Sequence, residues 1–287
     1  MLSRMRIEFM KMQGLGNDFM VFDAAAAAAR MDPGVLRALA DRRTGIGFDQ
    51  ALMLEIPRNT TSRVFYRIFN ADGTEVEQCG NGARCVAALL YARAPQLGRD
   101  LVMESIGGTV TAHVRDDGMV SVDMGVPNFD PRSLPMESPE GSAMAPSGTP
   151  SFSLKIDGAD IEMDAVSMGN PHVVLRVPDV KTAPLDRIGP SIEHHARFPQ
   201  RTNVGFMQIV DRGHIRLRVF ERGVGETQAC GTGACAAVAV GRRHGLLDEE
   251  VRVELEGGTA MVSWPGRSGH VWLTGPAATV FSGSVDI

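Results

Sequence analysis

The chain has 287 residues, enough for two domains that each bury a core. An apolar fraction of 44% and a charged fraction of 22% are typical of a globular protein, and a net charge of -5 argues against nucleic acid or an anionic membrane surface as a partner. We expect neither a signal peptide nor a membrane span, because charged residues interrupt the opening segment and no apolar run has the required length. We therefore expect a cytoplasmic protein whose cysteines stay reduced.

The first part of the chain predicts short strands and two helices. Strands are predicted at 7–9, 19–22, 51–55, 64–69, 101–105, 109–114 and 119–124. One helix is predicted to begin after Asp32 and to cover 35–41, and a longer one covers 83–93, where Pro95 stops it. The alanine run at 24–29 has helical propensity but is short, and we assign it no function.

Residues 131–151 are rich in proline, serine and glycine and lack periodicity, which predicts a linker or a long surface loop. Beyond this segment the pattern of the first part returns. It comprises a turn and strand at 166–174, a strand at 215–220, a helix at 234–243 and a glycine turn at 256–259. A last strand at 278–281 is expected to cross back to the first domain.

Two copies of one phrase mark this repeat. Residues 69–84, FNADGTEVEQCGNGAR, superimpose without a gap on residues 220–235, FERGVGETQACGTGAC, at an offset of 151. Three further landmarks recur in the same order: the loop at Asn17 recurs at Asn170 (offset 153), 43–50 at 201–208 (offset 158), and 106–109 at 256–259 (offset 150). We therefore predict an α+β fold of two pseudo-symmetric domains, 1–130 plus 276–287 and 131–275. In each domain, mostly antiparallel strands wrap around one central helix.

Each copy of the phrase places a cysteine, Cys79 or Cys230, at the start of a predicted helix. The aligned peptide dipoles at that position favour the thiolate, and the neighbouring glycines leave backbone N–H groups accessible to a carboxylate or phosphate. With one small molecule between two such sites, one sulfur would remove a proton from a carbon while the other returned a proton to the opposite face. The duplication thus indicates reversible inversion of a stereocentre in a cleft between the domains.

Other interpretations of the cysteines are open at this point. A cysteine near a helix start is by default a small buried apolar residue, and Cys85 and Cys235, inside the predicted helices, are interpreted as core residues. The spacing within each pair disfavours a zinc site. The stronger rival is a redox function in which Cys79 and Cys230 form a disulfide.

Three phrases together resemble the diaminopimelate epimerase family. They are 69–85 with its CGNGARC, 167–172 reading SMGNPH, and 220–233 with its FERG and ACGTG. The resemblance covers nearly the whole chain. It implies an epimerase that needs no cofactor and no metal, interconverts LL- and meso-2,6-diaminopimelate for lysine and peptidoglycan precursor synthesis, and forms a homodimer.

The resemblance also implies a role for each matching residue. Cys79 and Cys230 resemble the acid–base pair of the family. The side chains that match its contacts to the amino-acid substrate are Asn17, Gln50, Asn70, Asn170, Asn203, Glu221 and Arg222. The backbone N–H groups that match its α-carboxylate site belong to Gly80, Asn81, Gly231 and Thr232. His172 and Glu221 are expected to tune the thiols.

The residue types fit this substrate. Diaminopimelate carries two ammonium and two carboxylate groups, so amides, one acid and one arginine suit it, and Arg222 suits bidentate capture of the distal carboxylate. Related enzymes of this architecture act on proline or hydroxyproline, or replace one cysteine and isomerise instead. The presence of both cysteines favours epimerisation, and the polarity of Asn70, Glu221 and Arg222 favours a long diamino diacid over a ring.

Overall fold

The structure is a computed structural model in which residues 5–24, 31–130, 134–137 and 151–287 are described. The chain separates into two compact units, Met1–Val122 with Thr274–Ile287 and Asp123–Leu273. The fold is mixed α+β and rich in strands, as predicted. Of the helices in the described ranges, none combines the length and the apolar character that a membrane crossing requires.

The elements of the first half alternate strands with two helices. In chain order they are β1 (Arg6–Gly14), β2 (Asn17–Asp23), α1 (Pro33–Ala40), β3 (Gln50–Glu55), β4 (Phe65–Asn70), β5 (Glu75–Val76), α2 (Gly80–Arg93), β6 (Asp100–Ser105), β7 (Gly108–Val114) and β8 (Val120–Asp123). A short 3-10 turn, Pro95–Leu97, follows α2.

The second half repeats this alternation. Its elements are β9 (Ser151–Ile156), β10 (Ala159–Ser167), β11 (Pro171–Arg176), α3 (Leu185–Glu193), β12 (Asn203–Asp211), β13 (His214–Glu221), β14 (Gly225–Thr227), α4 (Gly231–Arg243), β15 (Glu250–Leu255), β16 (Gly258–Ser263), β17 (Trp272–Gly275) and β18 (Ala278–Asp286).

Strand pairing follows one scheme in both units. In the first unit the order is β18–β1–β2–β3–β4–β6–β7, with β5 as a short partner of β4. In the second unit it is β9–β10–β11–β12–β13–β15–β16, with β14 on β13. All pairs are antiparallel except the third and fifth of each order, which are parallel. The last strand therefore does return to the first unit, where β18 takes the place that β9 has in the second.

One helix is buried in each unit. α2 packs against β1, β2 and β7, and α4 packs against β10 to β13 and β16. Residues 233–241 of α4 are all buried, as expected for a helix that strands surround on every side. Cys85 and Cys235 are fully buried on these helices, which confirms that they are core residues.

Two sequence predictions fall mostly outside the described residues. They are the alanine run at 24–29, of which only Ala24 is described, and the linker at 131–151, of which 134–137 and 151 are described. The two central helices begin three residues earlier than predicted, at Gly80 and Gly231. The glycines form the first turn, because the cysteine before each of them is the capping residue.

One predicted correspondence is wrong. The match of 43–50 with 201–208 equates Gln50 with Gln208. In the sheet, however, Gln50 begins β3 and pairs with Phe19 of β2, and the residue that begins β12 and pairs with His172 of β11 is Asn203. The offset is 153 here, as it is at Asn17. Asn203 is therefore the counterpart of Gln50, and the resemblance of the two glycine turns misplaces the register by five residues.

The sequence does not predict α3, because Gly189 and Pro190 lie inside it and both have low helical propensity. The glycine has a packing reason. A Cβ at Gly189 would lie 2.7 Å from the ring of Phe220, so only glycine lets α3 approach the end of β13 this closely. α3 thereby supports the strand that ends at Glu221.

We predict that Gly189→Ala lowers the free energy of unfolding by about 1–2 kcal/mol, because overpacking against Phe220 outweighs the gain in helical propensity. Gly213→Ala is the matched control, since the new Cβ would meet nothing closer than 3.6 Å. It should change stability by less than about 0.5 kcal/mol. Urea unfolding followed by circular dichroism measures both, and equal stability of the two variants would contradict this packing account.

Candidate active site

Cys79 is the capping residue of α2. Its backbone is extended (φ -148°, ψ 108°), and its sulfur accepts a hydrogen bond from the Gly82 N–H at 3.4 Å. The side chain is half-buried. A sulfur in this position receives the first N–H groups of the helix, which have no partner inside the helix itself. The sequence therefore builds a thiol that faces the positive end of a helix.

Two amide side chains lie beside the Cys79 sulfur. The thiol donates to Asn17 Oδ1 over 3.7 Å, and the same oxygen accepts from Asn81 Nδ2 at 3.4 Å. Asn81 is held in turn by the fully buried Arg84, whose Nη2 donates to Asn81 Oδ1 at 2.6 Å. We call Cys79, Asn17 and Asn81 the first thiol site.

An ion network orients Asn17. Asp49 accepts from Asn17 Nδ2 at 3.0 Å and pairs with Arg42 at 2.7 Å, and Arg42 also pairs with Asp18 at 2.8 Å. Lys11 completes the network at 2.6 Å from Asp18. Burial raises the pKa of Asp18, but the hydrogen bonds from Arg42 and Lys11 outweigh burial and hold that pKa well below its usual range. Asp18 is ionised at neutral pH, and Asp49, held by Arg42, accepts from the Asn17 amide and so orients its side chain.

Gln50 and Asn70 form a pair at the ends of β3 and β4. Gln50 Nε2 donates to Asn70 Oδ1 at 3.0 Å, and Asn70 Nδ2 donates to Thr74 Oγ1 at 3.2 Å. Gln50 Oε1 is buried and accepts no hydrogen bond from the described residues. An acceptor oxygen in this condition suits a ligand that brings its own donor.

Cys230 caps α4 at the equivalent position but lies in a different environment. It is buried, and its sulfur lies 3.6 Å from Thr232 Oγ1. Burial raises the pKa of the Cys230 thiol well above its usual value, and the neighbouring Glu221 carboxylate, which is hydrogen-bonded to the thiol, raises it further. Cys230 therefore holds its proton at neutral pH.

Glu221 and Asn170 complete what we call the second thiol site, with Cys230 and Thr232. Burial raises the pKa of Glu221, while hydrogen bonds from Thr227 and Cys230 oppose this shift. Asn170 Nδ2 donates to Thr232 Oγ1 at 3.4 Å. A carboxylate of raised pKa in contact with a thiol of raised pKa can exchange a proton with it.

His172 supports the second thiol site from β11. Its Nε2 lies 3.0 Å from Asn170 Oδ1, so the ring helps to orient this amide. Burial, and then the nearby Arg222, lower the pKa of His172 to about 3. The imidazole is thus neutral at any pH near 7, and it contributes hydrogen bonding and no charge.

Arg222 lies in the turn between β13 and β14. Its backbone N–H donates to Asn203 Oδ1 at 3.0 Å, and the Asn203 Nδ2 donates to the Pro171 carbonyl at 2.9 Å. The guanidinium is exposed and makes one long hydrogen bond, from Nη1 to the Gln200 carbonyl at 3.4 Å. It can still offer a pair of donors to an anion.

The structure brings the predicted residues together in groups. Around Cys79 it gathers Asn17, Asn81 and the first helical residue, Gly80, and around Cys230 it gathers Thr232, Glu221, Asn170 with His172, and Gly231. Gln50 with Asn70, and Asn203 with Arg222, form separate pairs.

Sequence reasoning missed Asp49, Arg84 and Thr227, which hold the site residues in place. Of these three, only Arg84 has a sequence feature that indicates a special role, because it is an arginine inside an otherwise apolar helix. In the described part of the chain, no three His, Cys, Asp or Glu side chains gather in a way that would hold a metal ion.

Solved structures identify the fold. A hydroxyproline epimerase from Agrobacterium vitis superimposes with a TM-score of 0.68 at 15% identity, over 98% of this chain and 93% of that one. A predicted epimerase from Pseudomonas aeruginosa gives 0.66 at 19% identity, over 99% of both chains. The chain has the fold that these epimerases share.

Sequence relatives identify the family. The diaminopimelate epimerase family model matches residues 9–129 and 164–280. The diaminopimelate epimerase of Thioalkalivibrio sulfidiphilus is 53% identical over 285 residues, 99% of this chain and 100% of the relative. That of Stutzerimonas stutzeri is 50% identical over 281 residues, 98% of this chain and 99% of the relative. The chain belongs to the diaminopimelate epimerase family.

We predict that iodoacetamide modifies Cys79 first at mildly alkaline pH. Cys79 is half-buried, whereas Cys85, Cys230 and Cys235 are buried, and burial raises the pKa of Cys85 to about 12 and that of Cys230 well above normal. Only the thiolate reacts, so Cys79 should react at least about tenfold faster than any other thiol. Peptide mass spectrometry over time measures the order, and equal rates at Cys79 and Cys230 would contradict the described difference between the two environments.

His172 should make stability depend on pH. The pKa is about 3 in the folded chain and 6.5 unfolded, so below pH 6.5 only the unfolded state takes up the proton, and stability falls as the pH drops. Between about pH 7 and pH 5.5 the contribution of His172 should fall by about 1 kcal/mol. Urea unfolding at both values should show this loss in the wild type but not in His172→Gln; equal losses would show that another group is responsible.

Proposed function

We propose that the chain interconverts LL- and meso-2,6-diaminopimelate, with Cys79 and Cys230 as the groups that remove and return the α-proton. One observation carries the proposal. Two cysteines cap the central helices at corresponding places of a duplicated fold, in a chain about half identical to relatives named diaminopimelate epimerase. Because inversion needs one group on each face of the carbon, a duplicated thiol site suits a reaction that runs in both directions.

The helix starts are suited to the α-carboxylate of the substrate. Gly80 with Asn81 and Gly231 with Thr232 occupy the first positions of α2 and α4, where N–H groups have no partner within the helix. A carboxylate there would be hydrogen-bonded by these groups and stabilised by the helix dipole. The same interactions would stabilise the charge that develops on the carboxylate when the neighbouring carbon loses its proton.

In this proposal the two thiols have different roles before the substrate binds. Cys230 keeps its proton because burial and Glu221 raise its pKa, so it enters the reaction as the acid when the substrate is protonated at that face. To act as the base in the reverse direction it must first lose this proton, and Glu221, already hydrogen-bonded to the thiol, is the acceptor. Cys79 accepts a hydrogen bond from Gly82 and donates to Asn17, and we assign it the role of the base that removes the proton when Cys230 is the acid.

Polar side chains beyond the thiols suit the rest of the substrate. The exposed Arg222 guanidinium can bind the distal carboxylate through two donors. The buried Gln50 Oε1, without a donor among the described residues, suits a substrate ammonium group, and Asn70 and Asn203 add further amides. This polarity favours diaminopimelate over a ring such as proline, although the fold is similar to that of a hydroxyproline epimerase.

The compartment follows from the same chemistry. Two thiols that exchange protons must stay reduced, and we therefore propose that the protein works in the cytoplasm, on the route to lysine and peptidoglycan precursors. The proposal assigns every proton transfer to protein groups and requires no cofactor and no metal. The homodimer implied by the family resemblance stays a prediction. The rival redox function would need only the two thiols and would leave the amides and Arg222 without a purpose.

We predict that Cys79→Ala and Cys230→Ala each abolish epimerisation of LL-diaminopimelate. Loss of one general acid–base group typically costs about 10²–10⁴-fold, and loss of either group here stops the reaction in both directions. Chiral chromatography of diaminopimelate isomers over time measures the rate.

The matched control is Cys85→Ala, which removes a buried thiol from the same helix as Cys79. Its turnover should stay close to that of the wild type while its stability falls. Substantial turnover in either Cys79→Ala or Cys230→Ala would remove that cysteine from the mechanism.

A further inference from the structure

Glu193, the last residue of α3, is a buried carboxylate that no proposed step of the reaction uses. It is 2% exposed, and its Oε1 accepts a hydrogen bond from the backbone N–H of Gly223 at 2.7 Å. Gly223 follows Arg222 directly in the turn between β13 and β14. A buried carboxylate is costly unless it is paired, so the position of Glu193 calls for a reason.

Glu193 has two basic neighbours, one of which belongs to a second segment of chain. Arg201 Nη1 lies 3.5 Å from Glu193 Oε1, and His194 Nδ1 lies 3.3 Å from Oε2. Arg201 belongs to the loop before β12, and its neighbour Gln200 supplies the carbonyl that accepts from the Arg222 guanidinium. One carboxylate therefore fastens both the turn that carries Arg222 and the loop that its guanidinium touches.

The turn itself has only a few attachments. Val224 N–H donates to the Glu221 carbonyl at 3.1 Å, Arg222 N–H donates to Asn203, and Gly223 has a positive φ of 75°. A Cβ at Gly223 would meet no atom within 4 Å, so the side of the turn that faces away from Glu193 is open. Besides the pairing of Glu221 with Gly225 that closes the turn, the hydrogen bond to Glu193 is the contact that holds the peptide following Arg222 to α3.

In the first unit the corresponding turn is held by a side-chain donor on a backbone carbonyl, whereas in the second it is held by a side-chain acceptor on a backbone N–H. There Arg37 of α1 donates to the carbonyl of Asp72, and Gly73 lies against Pro33 at the start of that helix. At an offset of 151, Asp72 corresponds to Gly223, so each unit uses its short helix to hold the turn before its cysteine. Only in the second unit is the holding group a buried carboxylate, and only there does the turn carry an arginine.

We propose that Glu193 is a positioning residue for Arg222, which it holds in place to receive a carboxylate at the far end of the substrate. This inference rests on the proposed function. Glu193 touches no substrate; it acts through the Gly223 peptide and through Arg201. The selectivity for an amino acid with a second carboxylate then depends on a residue of α3, an element outside every site motif of the sequence.

The test compares two ligands that differ by that carboxylate. L-lysine has the same spacing between its two amino groups as LL-diaminopimelate but lacks the distal carboxylate. Isothermal titration calorimetry in a Cys79→Ala background gives the dissociation constant of each ligand without turnover. Glu193→Leu should weaken binding of LL-diaminopimelate about tenfold and change binding of L-lysine by less than about twofold. Glu193→Gln keeps an oxygen that can accept from the Gly223 N–H, so it should weaken the binding of LL-diaminopimelate less than Glu193→Leu does.

Kinetics and a control variant complete the test. With Cys79 restored, Glu193→Leu should raise KM more than it lowers kcat, and its effect should largely disappear in combination with Arg222→Met. Asp186→Asn changes an exposed acid on the same helix. It should leave the dissociation constants of both ligands within about twofold of their original values. If Glu193→Leu does not fold, Arg201→Met removes the half-exposed partner of Glu193 and should give the same change in selectivity, smaller in size.

Each outcome decides the inference. The inference would be overturned if Glu193→Leu weakened the binding of both ligands equally. It would also be overturned if the effects of Glu193→Leu and Arg222→Met on KM were fully additive. Amide hydrogen exchange at Gly223 should be faster in Glu193→Leu than in the wild type, whatever the substrate, and an unchanged rate would also overturn it. If the wild type does not bind LL-diaminopimelate while exchange at Gly223 still responds to Glu193, the proposed function fails and the anchoring of the turn stands.

Discussion

A sulfur at the capping position of a helix is the arrangement on which both thiol sites depend. It requires the chain to bring an extended cysteine directly onto the first turn, and glycines make this possible. A Cβ at Gly82 would lie 3.2 Å from Leu52, and one at Gly233 would lie 2.9 Å from Val219 and 3.2 Å from the Cys230 sulfur. The glycines thus let the helix start approach both the sheet and the sulfur. The cost in helical propensity is offset because the strands around each helix bury it.

The duplication supplies two similar backbones but two different environments. Asn70 corresponds to Glu221, and Asn81 corresponds to Thr232, at one offset. Cys79 accordingly faces amides held by Asp49 and Arg84, whereas Cys230 faces a carboxylate and is more deeply buried. A reversible reaction needs both thiols in both roles, but it does not need them to rest in the same protonation state. Where the first unit has the neutral Asn70, the second has Glu221, whose carboxylate raises the pKa of the Cys230 thiol.

Local patterns in the sequence were sufficient for much of this account. The paired CGxG phrases predicted the repeat, the central helices and the two thiols, because glycine and capping preferences act over a few residues. What depends on distant partners was not predictable. The register of β12, which makes Asn203 the counterpart of Gln50, is set by pairing with β11. α3 forms despite Gly189 and Pro190, because it packs on Phe220. Asp49, Thr227 and Glu193 look like ordinary surface residues until the fold brings their partners to them.

The central claim is that two different sulfurs handle the proton that leaves and the proton that arrives. Epimerisation of unlabelled LL-diaminopimelate in deuterium oxide, stopped early and read by mass spectrometry, tests this most directly. The account predicts that meso product carries one deuterium at the inverted carbon from the first turnover, because the donor sulfur exchanges with solvent, while the recovered LL substrate contains almost none. Product that keeps its original hydrogen, or substrate that gains deuterium as fast as product forms, would contradict it.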